Sequence, residues 1–144
     1  MAEASSLSAS ILTFTAIAAK LSTDAAILYR SYRSTKDTPV DVQRVATQLK
    51  DLEFILAQIN HTRSASPGCV GDPITGSYWA SKEAKLRSDF TEFEQFTTQL
   101  TANIGKSKSR TKWVASHEGR AKEFLGLLAE DIEVLRTLLG IMES

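Results

Sequence analysis

Between Thr38 and Asn60 the apolar residues Val42, Val45, Leu49, Leu52, Leu56 and Ile59 advance in steps of three and four, a spacing that a helix gathers onto one seam. Thr38 is a good N-cap. Pro39 stands at the first helical position, where a missing N–H costs nothing, and Asp41 in the first turn favours the helix dipole. At about 1.5 Å per residue this helix is roughly 33 Å long, so only partners of comparable length can cover its stripe.

Three further stretches have the required length. Leu7, Ile11, Phe14, Ala18, Leu21, Ala25, Leu28 and Tyr32 repeat the four-three spacing, with Ser22-Thr23 as a place where the helix can break in two. Leu12, Ile17 and Ile27 lie off that seam and widen the apolar stripe, as expected of a helix sandwiched between neighbours. The polar turn from Ser34 to Asp37 is short, which makes the first two helices antiparallel neighbours. From His61 to Ser77 the pattern stops amid prolines and glycines, predicting a long mobile loop. Helical spacing returns from Tyr78 with Trp79, Leu86, Phe90, Phe93, Leu100 and Ile104, and Gly105 is a plausible stop. After a basic linker over 106–112, Trp113, Ala121, Phe124, Leu128, Ile132, Leu135, Leu139 and Met142 form the last stripe. No strand-period alternation and no internal repeat is present. The expected fold is all-α, an up-down four-helix bundle in one domain spanning residues 1–144. Its core is built on Val45, Leu49, Leu52, Leu56, Phe90, Phe93, Trp113, Phe124, Leu128 and Leu135.

Composition removes several function classes. Acidic and basic side chains balance at 17 each, and aromatics do not alternate with basic residues, so no nucleic-acid partner is expected. Cys69 is the sole cysteine, which forbids an intrachain disulfide and points to a reducing, cytoplasmic setting. The apolar run from Ile11 to Leu21 follows Glu3, where a signal peptide would carry positive charge, and it reads as too short to span a bilayer. Gly71 to Ser77 has the glycine spacing of a phosphate loop, but the lysine after Gly76 and the preceding strand are missing. His61, His117 and Cys69 lack metal-ligand spacing. Asp89, Glu92, Glu94, Glu130, Asp131 and Glu133 read as solvated faces of helices. No cofactor, metal, small-molecule substrate or catalysis is expected. A catalytic bundle would need a buried polar cluster on facing helices.

Two features carry more than a core would need. Ala9 to Leu21 is small and apolar with Lys20 its one charge, which suits a core helix first and also suits burial in a bilayer surface. Lys106, Lys108, Arg110 and Lys112 read first as a solvated loop, and as contacts to anionic lipid headgroups second, at about 1 kcal/mol per near-surface charge.

The segments SILTFTAIAAKLSTDAAILY, KDTPVDVQRVATQLKDLEFILAQI and KSRTKWVASHEGRAKEFLGLLAEDIEVLRTLLGIM together resemble the HeLo-like N-terminal domain of fungal STAND (NLR-like) proteins. The related SesA-like domains share much of the pattern. The resemblance covers most of the chain outside 61–77 and rests on helix spacing with few diagnostic residues. It implies the N-terminal module of a longer protein, a non-catalytic signalling bundle ahead of a nucleotide-binding switch. It further implies oligomerisation and programmed cell death, in which the N-terminal helix is freed and permeabilises the plasma membrane. The matching residues here are Leu7, Ile11, Leu12, Phe14, Ile17 and Leu21. No acidic residue lies between Glu3 and Asp24, so no role for a charged residue in that helix carries over. The alternative is an adaptor bundle that binds a second copy or another helical domain and leaves lipid untouched.

Overall fold

The computed structural model describes residues 2–33, 40–66, 68, 71–102 and 110–144, with side chains except those of 2–6, 31–33, 40–42, 102 and 110–118. Among the described residues four helices account for nearly the whole chain and no strand occurs: α1 Ala2–Arg33, α2 Val40–Ala65, α3 Pro73–Ala102 and α4 Arg110–Glu143. The chain is an all-α helical bundle. Thr38, Pro39, Ile104, Gly105 and Cys69 lie outside the described residues, as do the side chains of Asp41, Val42, Tyr32, Trp113 and His117.

Helix α1 is continuous, and its serine and threonines show why. Thr13, Thr15 and Thr23 each donate to the carbonyl four residues earlier, at 3.0, 2.7 and 3.0 Å. Ser22 Oγ instead donates across to the Leu49 carbonyl of α2, at 3.2 Å. Each hydroxyl is satisfied without opening the helix, so the expected break at Ser22-Thr23 does not occur.

The expected loop over 61–77 is also narrower. Helix α2 continues through Ala65, with Ser66 N donating to the Thr62 carbonyl at 2.9 Å, because nothing between His61 and Ala65 opposes a helix and Pro67 is the first residue that does. At the far side Asp72 caps α3. Its Oδ1 accepts from Ile74 N at 3.1 Å and its carbonyl accepts from Gly76 N at 3.0 Å, while Pro73 occupies the first helical position. The basic linker is likewise shorter than expected, since α4 begins at Arg110.

Helix α1 packs on α2 and α3, and α4 packs on the same two, so α1 lies diagonal to α4 and α2 diagonal to α3. Contacts of α1 with α3 rise together along both helices, Ser10 with Glu83 and Lys20 with Glu94, so these two are parallel. Contacts of α3 with α4 run oppositely, Tyr78 with Val134 and Phe93 with Phe124, so these are antiparallel. Helix α2 packs along α1 and only six residues separate Arg33 from Val40, too few to return to the start of α1, so α2 runs antiparallel to it; directions alternate along the chain, yet the connection from α2 to α3 crosses the diagonal. Residues 66–72 reach up to about 25 Å when extended, enough for a diagonal of roughly 14 Å between helices 8–10 Å apart.

The core follows the four-three spacing. Leu7, Ile11, Phe14, Leu21 and Leu28 of α1 meet Val45, Leu49, Leu52, Leu56 and Ile59 of α2, all buried. Phe90 and Phe93 of α3 and Phe124, Leu128 and Leu135 of α4 close the other half. Aromatic rings tie three helices in sequence: Trp79 to Phe14 at 5.8 Å, Phe14 to Phe90 at 4.6 Å, Phe90 to Phe93 at 5.6 Å and Phe93 to Phe124 at 4.9 Å between centroids.

Candidate functional site

The first helix carries one candidate. Its segment Leu7–Arg30, 24 residues, is the one described helical segment long and apolar enough to cross a membrane by length and composition. At 1.5 Å per residue it spans about 36 Å against a hydrocarbon thickness of about 30 Å. This corrects the sequence expectation, which counted only the run from Ile11 to Leu21: in an unbroken helix the apolar residues on either side of that run belong to the same rod. A core helix meets the same criterion, and in this state α1 is one. Leu7, Ile11, Phe14 and Leu21 are buried, Ile17 is partly buried against the core, and Leu12 is 53% exposed.

Polar contacts seat α1 on α3. Arg87 Nη2 donates to Ser10 Oγ at 2.8 Å, and Ser10 Oγ donates to Glu83 Oε1 at 2.9 Å. Arg87 also pairs with Glu83, four residues earlier, at 2.8 Å, and its guanidinium lies 5.8 Å from the Phe14 ring centre. One arginine thus touches two successive turns of α1. Farther along, Lys20 and Glu94 approach to 4.0 Å at the surface, a contact of small energetic weight.

The second candidate lies between α3 and α4, where the sequence predicted only solvated carboxylates. Glu92, Glu130 and Glu133 are exposed and Glu94 half-buried, but Asp89 is 7% exposed and Asp131 not at all. Lys85 Nζ lies 2.7 Å from Asp89 Oδ2, 3.1 Å from Asp131 Oδ1 and 3.2 Å from Glu130 Oε2. Asp131 Oδ2 is buried with no hydrogen-bond partner. Desolvation first, then hydrogen bonding to Asp89 and the charge of Asp89, push the Asp131 carboxyl up to about 8, against the opposing hydrogen bond and charge of Lys85. Burial works against the Lys85 ammonium, yet its bonds to Asp89, Asp131 and Glu130 and the Asp131 charge hold its pKa above the ordinary value.

Spacing held a signal for this cluster. Counting four and three from Phe124 gives Leu128, Asp131, Leu135, Leu138 and Met142, so Asp131 stands on the α4 seam itself. Asp89 lies three residues after Leu86 and four before Phe93, on the α3 seam. A carboxylate at a seam position on each of two helices, with a lysine four residues before one of them, marks a buried ion cluster rather than a wet face.

This is a polar cluster on facing helices of the kind a catalytic bundle would need, with Asp131 fully buried, Asp89 nearly so and Lys85 half-exposed. Nearby, a half-open groove of about 240 Å³ has Phe93, Phe96, Phe124 and Leu127 in its floor and Glu92, Glu123 and Arg120 at its rim. Arg120 bonds Gln99 and lies 5.4 Å from the Phe96 ring centre. Ligand sites usually start near 300 Å³. No group of metal-ligating side chains is found among the described residues. Of the basic residues singled out as headgroup contacts, Lys106 and Lys108 lie outside the described residues, and Arg110 and Lys112 are described only as helical backbone. No family model, no curated protein and no solved structure matches this chain.

Proposed function

We propose that this chain is a non-catalytic signalling module whose first helix leaves the core and enters a membrane when the bundle opens, the role expected of a HeLo-like domain of a fungal STAND protein. One observation carries the reading: the helix long and apolar enough to cross a bilayer, Leu7–Arg30, is also a helix of the core. Leu7, Ile11, Phe14 and Leu21 avoid water in both places, so the exchange keeps most of their apolar burial. Lys20 and Asp24 oppose a lone span, since a charge at the bilayer centre costs about 2.5–3.5 kcal/mol. Four residues apart, they stand on one side of the helix, where copies assembling in the membrane can pair them. Oligomerisation and insertion are therefore linked.

The exposed face supplies the test, because Leu12 can be changed without touching the core. With vesicles of phosphatidylcholine and phosphatidylserine holding a self-quenched dye, the chain is expected to cause leakage. Leu12→Asp is expected to reduce it several-fold at an unchanged melting temperature. Equal leakage from both proteins contradicts insertion of this helix. An adaptor reading draws on Phe54, 65% exposed on α2 beside Lys50, Glu53 and Ala57. A defined oligomer by light scattering, disrupted by Phe54→Ser and indifferent to lipid, would select it instead.

A further inference from the structure

The seam between α3 and α4 holds a fully buried carboxylate that has one oxygen on an ammonium, the other on nothing, and a second buried carboxylate beside it. We propose that Lys85, Asp89 and Asp131 form a proton-operated latch, which holds α3 against α4 while the two carboxylates share a proton and lets them part when it leaves.

With the proton in place every group has a partner. Lys85 donates to Asp89 Oδ2 and to Asp131 Oδ1. A proton on Asp131, whose Oδ2 is orphaned, gives it a hydrogen to donate, and Asp89 is the carboxylate that acts on it. The charge in the seam is then one half-exposed ammonium against one buried carboxylate, with Glu130 reaching the same ammonium from the surface. Without the proton, one half-exposed ammonium faces two buried carboxylates and Glu130. Asp131 has no access to water, so a second negative charge there can be hydrated only if the helices separate.

The surroundings offer no other relief. Asp89 and Lys85, both from α3, are the groups that act on Asp131. On α4 itself Glu133 is engaged by Arg136 at 2.6 Å. Helix α1 lies diagonal to α4, and the largest effects on Asp131 come from its burial, Asp89 and Lys85.

The direction of the response follows from linkage. Native Asp131 keeps its proton up to about pH 8, whereas an unfolded or opened chain releases it in the ordinary carboxylate range near 3.8. Between those values the native state binds the extra proton, so raising the pH favours the open state. The contribution is fully present below about pH 4 and is lost as the pH rises through about 8.

The experiment follows the Asp131 carboxyl carbon by NMR in the intact chain, together with melting temperature from pH 5 to 9. Asp131 is expected to titrate several units above a free carboxylate, and the melting temperature to fall across this range. Asp131→Asn, which copies the protonated form, should flatten the fall. Hydrogen exchange corrected for intrinsic rate should show protection lost at pH 9 around Lys85 to Asp89 and around Glu130 to Arg136, while Val45 to Ile59 keeps it. Asp89→Asn should lower the Asp131 midpoint, since it removes the charge of Asp89 and leaves desolvation opposed by Lys85. An Asp131 midpoint below 5 overturns the latch, as does an unchanged slope in Asp131→Asn. If that variant fails to fold, the wild-type midpoint and exchange pattern decide. None of these readings involves lipid, so the latch stands or falls apart from the membrane role.

Discussion

The seam between α1 and α2 and the seam between α3 and α4 join antiparallel neighbours, but they are made of different materials. The first brings together Leu21, Ala25 and Leu28 with Val45, Leu49 and Leu52, and among the described residues its polar link is the 3.2 Å bond from Ser22 to a backbone carbonyl. The second has its rings, Phe93, Phe96 and Phe124, at one end and a lysine with two buried aspartates farther along. An apolar seam is specified by volume, whereas an ionic seam is specified by partners and by protonation. One bundle therefore contains a contact indifferent to pH and a contact that depends on it.

Substitutions that break the contrast should rank accordingly. Leu49→Ala removes a fully buried side chain from the dry seam and is expected to cost about 2–5 kcal/mol in urea unfolding, with the same cost at pH 6 and pH 9. A cost that changes with pH would mean that the two halves are not separable. Lys85→Met leaves Asp89 and Asp131 without their cation. Because Lys85 is 47% exposed, the expected loss is smaller, about 1–3 kcal/mol. That loss should grow from pH 6 to pH 9, as Asp131 gives up its proton, and a cost below a few tenths at both values would show that the ammonium does not hold the seam.

The same contrast explains what was legible in the sequence. Where a seam is purely apolar, spacing is enough: Val45, Leu49, Leu52, Leu56 and Ile59 could be placed on the buried face by counting alone, and all are buried. Counting fails where a seam position is filled by a charge, because a carboxylate is read as solvated. Asp89 and Asp131 were therefore assigned to water although they keep the period. Only a lysine brought from another turn and another helix makes such a position tolerable, and sequence does not display that neighbour. Helix ends misled for a related reason. Gly and Pro between His61 and Ser77 suggested a loop, but Pro73 after a capping Asp72 begins a helix rather than ending one. The diagonal step from α2 to α3 has no signature in the periodicity, because each helix shows only the width of its stripe and not which neighbour covers it.

The membrane reading depends on whether α1 leaves its seat on α3, and a tether across that seat asks this directly. Lys20 and Glu94 are surface partners 4.0 Å apart, one on each helix. In a Cys69→Ser background, Lys20→Cys and Glu94→Cys can be joined by a short bis-maleimide, and a control with both thiols singly capped has the same chemistry without the bridge. Dye release from phosphatidylserine-containing vesicles should be abolished in the bridged protein and persist in the capped one, at the level that the loss of Lys20 leaves. Equal release from the two would show that α1 stays on α3 while membranes leak, and would contradict its role as the inserting helix.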